Sequence, residues 1–254
     1  MIISVALLLC GCTGSEKNPQ ATADPAAAAD NAARDTSPVI VIDDTDKTSA
    51  AAAMPVDTDI EQAFYADEIS DDLFARMQGK SFPEGCTTPR EDLRYLHLLC
   101  KDIDGNTYEG EMVCNTAIAD TLIDIFRQLY EADYPIEKMR LIDDYDGDDD
   151  ASMADNNTSC FNFRVVEGTT NLSKHALGAA VDINPLYNPY IKQKDGQTVV
   201  SPEGGEPYAD RSKDFDYKID EDDLAYKLFT EAGFTWGGSW KTVKDYQHFQ
   251  VDLK

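Results

Sequence analysis

Two short segments far apart in this chain carry side chains that make sense only as neighbours, so the fold has to bring them together. The first runs Ser173-Lys-His-Ala-Leu-Gly-Ala-Ala-Val-Asp182 and the second is Asp245-Tyr-Gln-His248. Two imidazoles, His175 and His248, with the carboxylate Asp182 form the usual donor set of a hydrolytic zinc, which keeps a position open for water. Asp245, three residues before His248, is a further carboxylate able to take that water's proton. The chain has only three histidines, so finding two of them in such segments argues against accident.

Strand periodicity says how the segments meet. In His248-Phe-Gln-Val-Asp-Leu253, Phe249, Val251 and Leu253 share one face, and His248, Gln250 and Asp252 share the other. Likewise Val181 and Ile183 can enter a core while Ala180, Asp182 and Asn184 look outward. Two neighbouring strands would then present Asp182 and His248 on one polar face. His175 arrives from the turn before its strand, where Gly178 gives the backbone room. Asp245 stands at an odd offset from His248 and is expected in a loop before the strand.

The remaining elements mix helix and strand. Ser70 caps a short helix over 71–79, and Leu93 to Cys100 with Tyr108 to Cys114 reads as a hairpin around Asp104-Gly105. Asn115 caps a longer helix in which Ile118, Leu122, Ile125, Phe126 and Leu129 recur at helical spacing. Met139 to Ile142 reads as a strand, and Asp222 to Ala232 as a helix stopped by Gly233. The fold class expected is α+β. Four cysteines, Cys86, Cys100, Cys114 and Cys160, can form two disulfides in an exported protein, in any of three pairings.

The wording of the two segments resembles the D-alanyl-D-alanine carboxypeptidase family of zinc peptidases, which includes vancomycin-resistance D,D-peptidases and L-alanyl-D-glutamate endolysins. The resemblance extends through Asn156-Asn-Thr-Ser-Cys-Phe-Asn-Phe-Arg164, Asp182-Ile-Asn-Pro-Leu-Tyr-Asn-Pro-Tyr190 and Gly233-Phe-Thr-Trp-Gly-Gly-Ser-Trp240. It implies a small antiparallel sheet flanked by helices, of the hedgehog/D,D-peptidase type, and one Zn2+ held by His175, Asp182 and His248. Asp245 matches the family's catalytic carboxylate. Arg164 is the expected substrate-anchoring arginine, with Arg140 and Arg211 as alternatives and a surface ion pair as the bland reading. Ser173 either bonds substrate or shapes the turn. Tyr187, with Asn188 and Tyr190, either lines the substrate groove or belongs to a rigid loop. Alanine is common in the family where Cys160 stands, which suggests a local bridge there.

The activity implied is hydrolysis of peptidoglycan stem peptides, first at a terminal D-Ala-D-Ala bond, with L-alanyl-D-glutamate cleavage as the runner-up. A zinc-stabilised wall-binding lipoprotein without catalysis is the reading from a different class, since hedgehog signalling domains share the scaffold. His97 reads as a hydrogen-bonded structural histidine. The run Asp143-Asp-Tyr-Asp-Gly-Asp-Asp-Asp150 lacks the glycine and glutamate placement of a calcium loop and reads as a solvated acidic loop, with weak calcium binding left open.

Outside the domain expected over 59–254, residues 1–12 form an apolar leader ending Leu9-Cys-Gly-Cys12, which resembles a bacterial lipobox with Cys12 as the lipid anchor. No basic residue precedes the apolar run, so either the true start lies upstream or the signal is unusual. Residues 13–58, rich in Ala and Asp, read as a disordered tether. The chain is therefore expected in the bacterial cell envelope, lipid-anchored or else cleaved and secreted. A formal charge of -26, from 48 acids against 22 bases, argues against nucleic acid or an anionic membrane surface as partner. A monomer is expected.

Overall fold

The structure is a computed structural model that describes residues 60–166 and 168–253. The leader, Cys12 and the 13–58 tether lie outside the described residues. In chain order the elements are β1 (Tyr65–Glu68), α1 (Asp71–Met77), β2 (Leu93–Lys101), β3 (Thr107–Asn115) and α2 (Ala119–Glu131). They continue with α3 (Asp149–Ala154), β4 (Ala180–Asp182), β5 (Tyr190–Lys194) and β6 (Gln197–Ser201). The last are α4 (Leu224–Glu231), β7 (Thr235–Trp236), β8 (Lys244–Asp245) and β9 (His248–Gln250). None of the described helices is long and apolar enough to cross a membrane.

The α+β class holds, but in place of one small sheet the described residues build three, each three-stranded and antiparallel, ordered β1-β2-β3, β4-β9-β7 and β6-β5-β8. The β2–β3 hairpin turns at Asp102–Asn106, where the Asp102 carboxylate accepts from the amides of Asp104 and Asn106 and Gly105 takes a positive φ. A carboxylate that gathers loop amides in this way holds a tight turn without help from the core. The segment Met139 to Ile142 is not a strand. It is extended chain held by isolated contacts, Glu111 N to Met139 O at 3.0 Å among them, and Ile142–Tyr145 closes into a 3₁₀ turn. Its apolar residues Met139, Leu141 and Ile142 are buried, which gives the segment the composition of a strand without a ladder.

One core ties the hairpin to the site. Leu122, Ile125, Phe126 and Leu129 on α2 pack with Leu96, Leu98 and Met112 of the hairpin and with Phe229 of α4. Val181, Ile183 and Phe249 enter the same cluster, and Phe249 stacks on Phe229 with ring centroids 4.6 Å apart. Val181 and Phe249 are direct register partners, so burying this pair sets the facing of β4 and β9. Asp182↔His248 is the next pair along, and period-two alternation throws it to the opposite face. That face was expected to look outward, yet Ala180, Asp182 and Asn184 are all buried. Their polar atoms are taken up inside the fold: the Asp182 carboxylate meets His175 and His248, and the Asn184 amide group meets Pro135 O and Glu137 N. Ser159 pairs with Asp182 through two backbone hydrogen bonds of 3.1 and 2.9 Å along the edge of β4 opposite β9.

Asp223 caps α4, its Oδ1 accepting from Ala225 N at 2.8 Å and from the Tyr134 hydroxyl at 3.1 Å. Burial pushes its carboxyl up to about 6. The folded value lies above the ordinary value of about 3.9, so folding favours the protonated form. That contribution is present below about pH 4 and is lost as pH rises through about 6. Asn keeps the acceptor without the charge. Asp223→Asn is expected to stabilise the protein at pH 7 by at most about 3 kcal/mol, two units at 1.36 each, and by far less at pH 4. Urea unfolding at both pH values checks this, and an equal gain at both would contradict it.

All four cysteines in the described region are free thiols, contrary to the expected disulfides and to a bridge at Cys160. Three of them settle their sulfurs separately: Cys100 against Met139 Sδ at 3.9 Å, Cys160 on Gly178 O at 3.5 Å, and Cys86 on Thr88 O at 3.7 Å. Burial pushes the Cys100 thiol up to about 12 and raises Cys114 and Cys160 further, so these thiols are packing groups. His97 donates from Nδ1 to Ala63 O at 2.8 Å and stacks on Tyr65, a structural role.

Candidate metal centre

His175 opens a 3₁₀ turn, His175–Leu177. Ser173 Oγ accepts from His175 N at 3.2 Å, and His175 O accepts from Gly178 N at 2.9 Å. Gly178 sits at φ +63°, and a Cβ there would lie 2.6 Å from Asn115 N, whose amide bonds Gly178 O at 2.8 Å. Only glycine combines that backbone with that approach. The turn is thereby docked on the end of β3, and the imidazole of His175 is delivered to the face that carries Asp182 and His248.

The three side chains converge. His175 Nε2 lies 3.1 Å from His248 Nδ1 and 3.2 Å from Asp182 Oδ2, and His248 Nδ1 lies 2.9 Å from Asp182 Oδ1. Among the described residues these three form the group whose donor atoms could hold one ion. Donors at 2.0–2.1 Å from one tetrahedral ion are separated by about 3.3 Å, close to the spacings found.

The outer nitrogens are already committed. His175 Nδ1 lies 2.6 Å from Cys160 O, and His248 Nε2 lies 3.0 Å from Gln250 Oε1. Carbonyl oxygens only accept, so both outer nitrogens carry protons and the inner pair, as neutral rings, face one another with lone pairs. Two such lone pairs repel unless a proton or a cation lies between. Burial alone would lower His248, but the Asp182 carboxylate overrides it and pushes the ring up to about 9. Burial would raise Asp182, and the imidazoles instead hold it well below the usual carboxylate range. A dication binding here would displace a proton and take over the role of neutralising Asp182. The residues fit a divalent metal.

Asp245 is not in a loop. It ends β8 and pairs with Tyr190 of β5, in a different sheet from His248. Changing sheets across Tyr246-Gln247 removes the odd-offset problem that regular strand geometry would pose. Gly237 allows the approach, since a Cβ there would fall 2.7 Å from Asp245 Cβ. Burial pushes Asp245 up to about 6, countered mainly by His248, while Asp182 adds to the rise. Its Oδ1 is buried with no hydrogen-bond partner among the described residues. An unsatisfied carboxylate oxygen in a dry site is costly unless it has a proton to bind.

The other expected residues fall differently. Arg164 is paired with Asp149 Oδ2 at 2.7 Å, and its Nε is buried without a partner among the described residues. Of the alternatives, Arg211 spans backbone carbonyls of Tyr187, Tyr208 and Ile219 and stacks on Tyr246, while the Arg140 backbone is clasped by Asn157. Ser173 is buried and shapes the His175 turn. Tyr187 packs against Tyr208 and Tyr217, in the rigid-loop manner, and Asn188 is buried under Arg211. The contributions of Gln250 and of Cys160 O were not singled out by motif. The signal for Gln250 was its place two residues after His248 on the same strand face.

An α+β scaffold that gathers two imidazoles and a carboxylate beside a buried acid defines a candidate metal-dependent hydrolase. Residues 167–251 match the family described as D-alanyl-D-alanine carboxypeptidase, which bears out the resemblance carried by the motifs. The matched stretch contains Ser173, His175, Asp182, Asp245 and His248 and begins after Arg164. The match covers about a third of the chain and shows that this part is similar to that family. No curated protein and no solved structure matches the chain.

Proposed function

We propose that the chain is a zinc-dependent peptidase of peptidoglycan stem peptides, acting first on the terminal D-alanyl-D-alanine bond. The observation that carries the reading is the convergence of His175 Nε2, His248 Nδ1 and Asp182 within 3.2 Å of one another while both outer ring nitrogens are occupied. Zinc suits two imidazoles and one carboxylate. When bound, it would supply Lewis acidity to the scissile carbonyl and to the attacking water.

The chain's own residues do the rest. Asp245, buried and raised to about 6, takes the proton of the attacking water on its unpartnered Oδ1 and hands it to the leaving amine. Asp182 and the two histidines would hold the cation. Arg164 is kept as the candidate for the substrate carboxylate: its ion pair with Asp149 fixes the guanidinium, and the side chain remains about a third exposed.

Export, a lipid anchor at Cys12 and a wall substrate form one consistent proposal, supported by the leader and lipobox wording. Nucleic acid is not proposed as a partner, on the strength of the acidic charge. Mass-spectrometric product analysis on defined muropeptides tests the function. Release of D-alanine is the expected result. Cleavage between L-Ala and D-Glu would move the bond within the same chemistry. No cleavage by zinc-loaded protein would leave a zinc-stabilised binding protein and overturn the enzyme reading.

A further inference from the structure

We infer that Gln250 is a positioning residue that sets the metal affinity of this centre by fixing the tautomer of His248. The inference rests on the metal-centre reading given above. Gln250 Oε1 lies 3.0 Å from His248 Nε2, and an amide oxygen can only accept there. A neutral imidazole carries a single proton, so a proton held at Nε2 leaves Nδ1 with its lone pair. Nδ1 is the nitrogen that faces Asp182 at 2.9 Å and His175 Nε2 at 3.1 Å.

The strand enforces this contact. His248 and Gln250 are two residues apart on β9 and project to the same face. The backbone at Gln250 is gripped from both sides, opposite Ala180 on β4 and Thr235 on β7, and the Thr235 hydroxyl donates to Gln250 O at 3.2 Å. The amide cannot drift far from the ring it serves. His248 is 6% exposed, so bulk water is poorly placed to replace a lost acceptor.

The two histidines differ in what holds them. His175 Nδ1 is fixed by a backbone carbonyl, Cys160 O, which no side-chain substitution removes. His248 depends on one side chain. A cation entering the site takes the place of the Nδ1 proton, so the ring has to keep its other proton at Nε2. Without Gln250 that proton loses its acceptor, and the ring can instead keep its one proton at Nδ1, against Asp182. That arrangement occupies two of the three metal-facing atoms and has to be broken before a cation enters. Partners that orient a ligating histidine in this way are typically worth about 10- to 100-fold in metal affinity.

The test compares Gln250→Leu, which removes the acceptor, with Gln250→Glu, which keeps one, in the full chain. Zinc dissociation constants are measured by chelator competition, and metal-free thermal unfolding reports on folding. Leucine is expected to weaken zinc binding about 10- to 100-fold with the metal-free melting temperature little changed, and glutamate to restore most of the loss. Gln250→Met repeats the comparison with a flexible side chain should leucine disturb the strand. Zinc binding by the folded Leu or Met variant as tight as wild type would overturn the inference, as would a glutamate variant as weak as leucine. A wild-type chain that takes up no zinc would overturn the metal-centre reading itself, so the two failures are told apart.

Discussion

Replacing Asp245 by asparagine is expected to lower kcat on a D-alanyl-D-alanine substrate by about 10²- to 10⁴-fold, the usual worth of a positioned general base. Asparagine has nearly the same shape but cannot accept a water proton at neutral pH. Asp245 is not among the three converging donors, so zinc content should stay at the wild-type level. Stability should not fall either. The wild-type carboxylate is buried with Oδ1 unpartnered and its charged form disfavoured by that burial, so neutralising it removes a desolvation cost. Inactivity with full metal content and an unchanged or higher melting temperature is thus a signature that misfolding cannot imitate. An Asp245→Asn enzyme that keeps more than a tenth of wild-type kcat would remove Asp245 from the chemistry.

Removing the metal is expected to have the second large effect. Bringing Asp182, His175 and His248 together buries two rings and a carboxylate at 3 to 6% exposure, an arrangement that is expensive without a cation to balance it. A ligand at a thousandfold excess over its dissociation constant stabilises the folded state by about 4 kcal/mol. For a domain of this size that corresponds to a rise of roughly 10 °C in melting temperature. Chelation should therefore abolish hydrolysis and lower the melting temperature by about that amount. Asp182→Asn should erase the difference between zinc-loaded and zinc-free protein, because the carboxylate that neutralises the dication is gone. Scanning calorimetry of both proteins with and without zinc checks this. A melting temperature of the wild type that ignores zinc would contradict it.

Much of the site was legible in the chain because its placement is local. Period-two alternation in 248–253 put Phe249 in the core and His248 with Gln250 on the other face, and the Gly178 turn announced how His175 enters. The cap residues Ser70 and Asn115 also hold as read, although Asn115 caps a 3₁₀ turn that leads into α2. What the chain did not announce is long-range. Period and propensity cannot say that the Ser159 backbone will pair with Asp182 along the other edge of β4, or that Asp245 will pair with Tyr190 in another sheet. Met139 to Ile142 has the composition of a strand, but its neighbours offer isolated bridges in place of a ladder. Cysteine count alone could not reveal that Cys86, Cys100 and Cys160 would each find a separate partner. Nor could the Arg164 motif show that Asp149, supplied by α3, would hold its guanidinium.

Diffraction at the zinc absorption edge from crystals grown with zinc puts the central claim to its most direct test. One anomalous peak is predicted at about 2.0–2.2 Å from His175 Nε2, His248 Nδ1 and a carboxylate oxygen of Asp182. A zinc peak elsewhere, or none at these three atoms under saturating metal, would contradict the account.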